Sequence, residues 1–315
     1  MSNESSNVFT YILLVMVMVI WGMNVVFIKM LVQVFPAITM TSFRVFLAGV
    51  VAITVCVLIK QLRKFSKVEW KYILIATIFG VTGHHFFLAW GLTMTTASNA
   101  ALILALLPLT TSILASFMLK DRLTKLRVTG IVFAFFGVAS IILQSGESLT
   151  TMNSGDISIF IAMFVQAVSF IYIKKGTNTI DSRVMTAVML VVGSSFLFVI
   201  SLYIEPTGTQ QMLAQAGWIW GIFLVSSIVA TALGHFLFNA AIHRLGAGQT
   251  AVFNNFVPFF GLVFSALWLG EQITLLQLTG FVFIVMGVLL GTGFIDEYVT
   301  RRVLKKRDVQ KVRVG

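Results

Sequence analysis

Ten runs of apolar residues follow one another along the chain, and Lys and Arg gather in every second gap between them. The runs fall at about 9–32, 37–60, 72–93, 97–119, 126–144, 156–174, 184–204, 217–242, 247–270 and 275–295. Each is close to the roughly 20 residues that carry an α-helix across a bilayer core. Pro36, the cluster Lys120-Asp121-Arg122 and the turn-forming Glu205-Pro206-Thr207-Gly208 mark breaks between runs. The weakest break is Thr93-Met94-Thr95-Thr96, between the third and fourth. Five basic residues lie in 60–71, four in 120–127, three in 174–183, one (Arg244) in 243–246 and seven after residue 300. The intervening connections 33–36, 94–96, 145–155, 205–216 and 271–274 hold none, and of the 22 basic residues only Lys29 and Arg44 lie inside runs. One span more or fewer would break this alternation downstream. The positive-inside rule therefore predicts ten transmembrane helices with both termini cytoplasmic.

Composition agrees, because 58% of the 315 residues are hydrophobic and only 10% are charged. A soluble domain carries about a quarter charged residues, so lipid must cover most of this surface. The expected fold class is an all-α membrane protein. The net charge of +11 does not point to nucleic acid, since the charges sit between and after apolar runs. The basic tail 296–315 is expected on the cytoplasmic side, touching anionic membrane lipid. One cysteine, Cys56, allows neither an internal disulfide framework nor a cysteine metal site. The start MSNESSNVFTYILL lacks the basic region and small-residue cleavage site of a signal peptide.

A shift of 150 residues lays one half on the other without a gap from 85 to 138. His85-Phe86 meets His235-Phe236, Ala97 and Ala101 meet Ala247 and Ala251, and Pro108 meets Pro258. Thr124 and Thr129 meet Thr274 and Thr279, and Gly130 and Gly137 meet Gly280 and Gly287. Shared apolar composition would not align Pro, His and Gly together, so the pattern is read as duplication. The expected units are 1–146, 147–295 and the tail 296–315. Five helices per half is an odd number, so the second half would enter the membrane from the opposite side. Such inverted repeats are a common architecture of secondary transporters, which alternate access around a midplane site.

Trp21-Gly22-Met23-Asn24 through Lys29, Phe43-Arg44, Ala97…Pro108…Asp121 and Ala247…Pro258…Gly270-Glu271, with Gly130 and Gly280 following, resemble EamA-type members of the drug/metabolite transporter superfamily. The resemblance spans nearly the whole chain and rests on order and spacing, since each motif is degenerate. It implies a ten-helix bundle with a cavity lined mainly by the first four spans of each half. It also implies export of amino acids, other metabolites or toxic compounds, without fixing a substrate. Asp121 departs from the pattern by shortening the usual Glu.

All eleven carboxylates fall in loops, tails or run ends, which leaves no mid-span acid for proton or sodium coupling. Lys29 and Arg44 lie toward the outer ends of their runs. Either snorkels to headgroups or bonds helix-end carbonyls, or it anchors a substrate carboxylate. His84, His85 and His235 lie near mid-span, as packing residues or as substrate or proton sites; adjacent His84 and His85 face differently, so no metal site is expected. Trp21, Asn24, Gln166, Tyr172, Asn239, Asn254 and Asn255 complete the candidates for a substrate site, each also able to bond a neighbouring helix. Pro108 and Pro258 are expected helix breaks, and Pro258 should free the Asn254 carbonyl. Trp90 and Trp268, near run ends, read as interface anchors.

The leading expectation is a secondary transporter of small organic metabolites in the cell membrane, exporting amino acids or related compounds and needing no cofactor. An intramembrane enzyme lacks support: there is no His-Glu-x-x-His, no paired mid-span aspartates and no Gly-x-Ser-x-Gly. A sensor lacks a sizeable extramembrane domain, and an organellar nucleotide-sugar-type transporter remains the other transport reading.

Overall fold

The computed structural model describes residues 2–119, 124–143, 153–215, 217–238, 253–254 and 256–291. Seven helical stretches among them are long and apolar enough to cross a membrane: Thr10–Val34, Ala37–Leu58, Lys67–Met94, Ala97–Ala115, Ser154–Gly176, Ser182–Ile204 and Ile219–Phe238. Three shorter apolar helices, Val128–Gly137, Phe256–Leu269 and Leu275–Leu290, fall on the fifth, ninth and tenth apolar runs. The tail 296–315 and the 145–152 connection lie outside the described residues.

Helix α1 (Ser2–Val34) and α2 (Ala37–Leu58) are followed by a composite rod of α3 (Lys67–Thr77), a π-helical stretch π1 (Ile78–Gly83) and α4 (His84–Met94). The fourth run divides into α5 (Ala97–Leu104) and α6 (Leu107–Leu119), and α7 (Lys125–Leu143) follows. The second half comprises α8 (Ser154–Gly176), α9 (Ser182–Ile204), the short α10 (Gly208–Leu213) and α11 (Ile219–Leu224). A second π-helical stretch, π2 (Val225–Leu233), then leads to α12 (Phe256–Leu269) and α13 (Leu275–Gly291).

Local chemistry sets the ends. Ser66 accepts from the Glu69 amide while Glu69 accepts from the Ser66 amide, a capping box that starts α3 at Lys67, before the apolar run begins. Thr96 caps α5 by accepting from the Asn99 amide at 3.1 Å, so two residues suffice to separate the third and fourth runs. The fourth run breaks at Ala105-Leu106, where Leu106 N–H reaches only back to Ile103 O at 3.1 Å. Pro108 thereby sits in the first turn of α6, where a missing amide costs least. Pro258 likewise lies in the first turn of α12, after a turn at Asn254. The Asn254 carbonyl is not free as expected, because the Val257 amide donates to it at 3.1 Å. The tight turn captures the oxygen that the proline releases.

Gly270 ends α12 with φ +65°, and the Glu271 amide returns to Ser265 O at 3.3 Å. This left-handed turn aims Glu271 back along the bundle. Gly270→Ala should therefore cost about 1–2 kcal/mol, read as a lower unfolding midpoint in detergent. An unchanged midpoint would show that the turn is not strained.

Packing carries the repeat. A Cβ on Gly137 would stand 2.7 Å from Gly280 O, and one on Gly287 would stand 2.7 Å from Gly130 O. Gly130 pairs with Gly280, and Gly137 with Gly287, under the 150-residue shift, so the contacts are exchanged by the repeat. As numbers rise along α7, contacting numbers fall along α13. These repeat-equivalent helices therefore cross antiparallel, in close backbone contact. Helices α2 and α9 also run antiparallel, since Glu205 at the end of α9 holds the start of α2.

The two ends of the bundle differ in charge. One gathers the ends of α2 and α8 and the starts of α3 and α9, with Arg63 bonded to Glu69 and to Thr179 O, Arg183 to Asp181, and Lys175 over the Tyr172 ring. The Arg183 guanidinium holds the Asp181 carboxyl below the usual carboxylate range. The other end gathers the starts of α2, α5, α8 and α13 with Asp156, Glu205 and Glu271.

Candidate functional site

Among the described residues Arg44 is the largest fully buried side chain, 1% exposed, about two turns beyond the start of α2. Of the alternatives the sequence left open for it, snorkelling to headgroups is not what the side chain does. Its Nη1 donates to Thr231 Oγ1 at 3.1 Å and to Ser226 Oγ at 3.3 Å, and Nη2 lies 3.3 Å from His85 Nδ1. Its Nε is buried with no partner. Ser226 Oγ in turn donates to Asn24 Oδ1 at 2.5 Å. Trp21 Nε1 donates to Ala230 O at 2.9 Å, and its ring lies against His235, centroids 5.2 Å apart. His235 Nδ1 lies 2.6 Å from Thr231 O. Thus α1, α2, α4 and π2 meet in one polar knot, with residues from both halves.

The two π-helical stretches explain how it forms. Shifted by 150, π1 falls on 228–233, within π2 and ending at the same point. Each stops one residue before a histidine-bearing segment, His84-His85 or Gly234-His235. A wide turn rotates the residues after it and offsets the carbonyl ladder. Ala230 O is thereby available to Trp21, and Thr231 Oγ1 donates to Ser226 O at 2.8 Å while accepting from Arg44. Close approach of α1 needs Gly234, where a Cβ would meet Trp21 Nε1 at 2.6 Å.

Five of the residues singled out from sequence, Trp21, Asn24, Arg44, His85 and His235, thus come together. His84 stands beside them, its ring 5.0 Å from that of His85, with Nδ1 3.0 Å from Ala162 O. Gln166, one turn along α8, faces π1 near Gly80, and its Oε1 is buried without a partner. Tyr172 belongs to the basic end, beneath Lys175. Asn254 also has a buried, unpartnered Oδ1, but its neighbour Phe253 stacks on Tyr11, well before Trp21 on α1. Asn239 and Asn255 lie outside the described residues. Among the described residues no cluster of His, Cys, Asp and Glu has the arrangement of a metal site.

Ser226 and Thr231 were not singled out by sequence, because hydroxyls in an apolar run usually serve as local helix contacts. Lys29 takes the structural role: Nζ donates to Leu92 O at 2.8 Å and Thr95 O at 2.7 Å, capping the end of α4. At the same end two carboxylates hold helix starts in matching ways. Glu205 accepts from Ile38 N (3.1 Å), Thr39 N (2.7 Å) and Thr39 Oγ1 (2.7 Å). Glu271 accepts from Ala97 N and Ser98 N, both at 2.9 Å, and from Ser98 Oγ. Asp156 accepts from Thr95 Oγ1, and Asn99 and Gln277 extend that network.

A buried cation in a membrane costs roughly 2.5–3.5 kcal/mol on insertion scales even at a helix centre. Among the described residues Arg44 meets that cost with neutral oxygens and an imidazole, without a carboxylate partner. Such an arrangement can bind an anion.

The sequence matches the EamA-like transporter family over residues 8–143 and 153–292. It is 30% identical over 294 residues to the Bacillus subtilis protein named "Uncharacterized transporter YyaM", covering 90% of this chain and 94% of that one. It is 27% identical over 299 residues to the Salmonella typhimurium protein named "Probable amino-acid metabolite efflux pump", covering 90% and 94%. One solved crystal structure superposes with TM-score 0.64 at 16% identity, covering 92% of this chain and 97% of that chain, a likeness of fold.

Proposed function

The chain belongs to the EamA-like transporter family and is a multi-pass membrane protein; from that premise we propose that it is a secondary transporter exporting small organic metabolites, amino acids or related compounds, from the cell. It works by alternating access at a central site between two inverted halves of five helices, with ten spans and both termini cytoplasmic. The membrane is the plasma membrane, and the basic end of the bundle faces the cytoplasm. The observation that carries this reading is the antiparallel crossing of repeat-equivalent glycines on α7 and α13. A two-fold relation perpendicular to the helices gives two equivalent ways of tilting one half on the other. The relative named as an amino-acid metabolite efflux pump supports the substrate class and direction.

The test compares the medium of cells lacking and cells overproducing the protein by untargeted mass spectrometry. At least one small organic metabolite should accumulate outside the overproducing cells by about tenfold. Purified protein in liposomes should then exchange that compound, labelled, without ATP. Identical media, or strict ATP dependence in liposomes, would overturn the reading.

A further inference from the structure

The Arg44 guanidinium is a buried charge without a counter-charge. Among the described residues every group it meets is neutral or an imidazole: Ser226 Oγ, Thr231 Oγ1 and His85 Nδ1. The chain has eleven carboxylates, and the described ones are engaged elsewhere. Glu69 is held by Arg63, Asp156 by Thr95, Asp181 by Arg183, Glu205 by the start of α2 and Glu271 by the start of α5. Glu4 lies twenty residues before Asn24 on α1, about 30 Å along the axis. Asp121, Glu147, Asp296, Glu297 and Asp308 belong to connections and the tail. No mid-span acid exists to neutralise Arg44.

A charge held in this way is expensive, and in a mere strut an apolar replacement is often neutral or stabilising. The fork is also only partly used, since Nε has no partner. Two carboxylate oxygens match the edge of a guanidinium, and that pairing is stronger than bonds to hydroxyls. Around the fork stand Asn24, Trp21, His85 and His235, an amide, an indole and two imidazoles able to touch the rest of a small polar molecule.

We propose that Arg44 is the anion subsite of the transport site and binds a substrate carboxylate, with Ser226 and Thr231 as stand-in partners in its absence. This rests on the transport reading above and specifies its substrate class: small monocarboxylates carrying a polar group, amino acids among them, and not amines or neutral solutes. The knot is closed in this structure, so the carboxylate enters as the halves tilt and displaces the hydroxyls from the fork.

The test uses full-length protein overproduced in cells, with metabolites in the medium measured for wild type, Arg44→Gln, Arg44→Lys and an empty vector. Folded protein is quantified for each by size-exclusion profile and unfolding midpoint. Wild type should release carboxylates; Arg44→Gln should lose at least about 90% of that release, and Arg44→Lys should keep a fraction with a raised half-saturating concentration. If Arg44→Gln does not fold, folded Arg44→Lys decides: it should release the same carboxylates only at a raised half-saturating concentration, because an ammonium lacks the paired donors of the guanidinium fork. Release of compounds without an acid group, or Arg44→Gln releasing what wild type releases, would overturn the proposal and leave the transporter reading standing. An unchanged half-saturating concentration in folded Arg44→Lys would also overturn the proposal. No release by wild type would remove the transport reading itself.

Discussion

Gly137→Val and Gly287→Val should each deplete the folded protein severely, at or above the upper end of the roughly 1–3 kcal/mol that overpacking costs. At Gly137 even a Cβ would lie 2.7 Å from Gly280 O and from Ile284 Cγ1; at Gly287 it would lie 2.6 Å from Ala134 N and 2.7 Å from Gly130 O. Backbone atoms cannot rotate aside as a side chain can, so α7 and α13 must separate. In a membrane, helix association rests on such close packing, because lipid removes most of the hydrophobic drive. Separation caused by one substitution also makes room for the other. The doubly substituted Gly137→Ala/Gly287→Ala protein should therefore lose less than the sum of the single losses. Unfolding midpoints of the four proteins in detergent measure this. Strict additivity would mean that the two sites do not share one crossing. Phe135→Leu, on the 72% exposed outer side of α7, should be close to neutral.

The glycines show what the sequence could and could not reveal. Their 150-residue spacing disclosed a repeat, yet nothing in the spacing said that Gly137 would face Gly280 and Gly130 face Gly287. That contact depends on the direction of two helices far apart in the chain. The same holds at the knot. Arg44, Asn24, Trp21 and the histidines stood out because a polar group in an apolar run is conspicuous. Ser226, Thr231 and the Ala230 carbonyl did not, because the π-helical turn that presents them has no pattern of its own. The two Arg44 readings could not be separated for a related reason. Position along the run allowed both snorkelling and a buried role, while tertiary packing of π2 against α2 supplied hydroxyls at the depth where the guanidinium sits. Glu205 and Glu271 were legible as loop acids, Glu271 also within the stretch that carries the family resemblance, but not as caps of helices in the other half. One sign was present at Pro36, which leaves the start of α2 with no side-chain cap of its own.

Glu205→Ala/Glu271→Ala should open the acidic end of the bundle, and the effect should exceed that of either change alone. Both carboxylates belong to the second half and both hold helix starts of the first, α2 and α5. Each takes two successive backbone amides and one hydroxyl. Helix starts carry partial positive charge, and hydrogen bonds to a charged group contribute about 1.5–3 kcal/mol each. Across the opposite end, the ties between halves among the described residues include Arg63 to Thr179 O at 2.7 Å. Removing both carboxylates therefore weakens the acidic end far more than the basic one, and the tilt that alternating access requires should shift toward an open acidic end. Thr41, buried between Thr39 and Arg44 on α2, reports this shift. With Cys56→Ser removing the native thiol, Thr41→Cys should react slowly with a membrane-impermeant maleimide added outside intact cells. Loss of both carboxylates should raise that rate by about tenfold or more, and Glu205→Ala or Glu271→Ala alone should raise it less. An unchanged rate in folded protein would make the two acids fixed caps that hold α2 and α5 in every state of the cycle. The opposite change, faster labelling from the cytoplasmic side, would place the acidic end inside and invert the topology. The carboxylate on each helix start thus tests two links at once: what closes the bundle, and which way it faces.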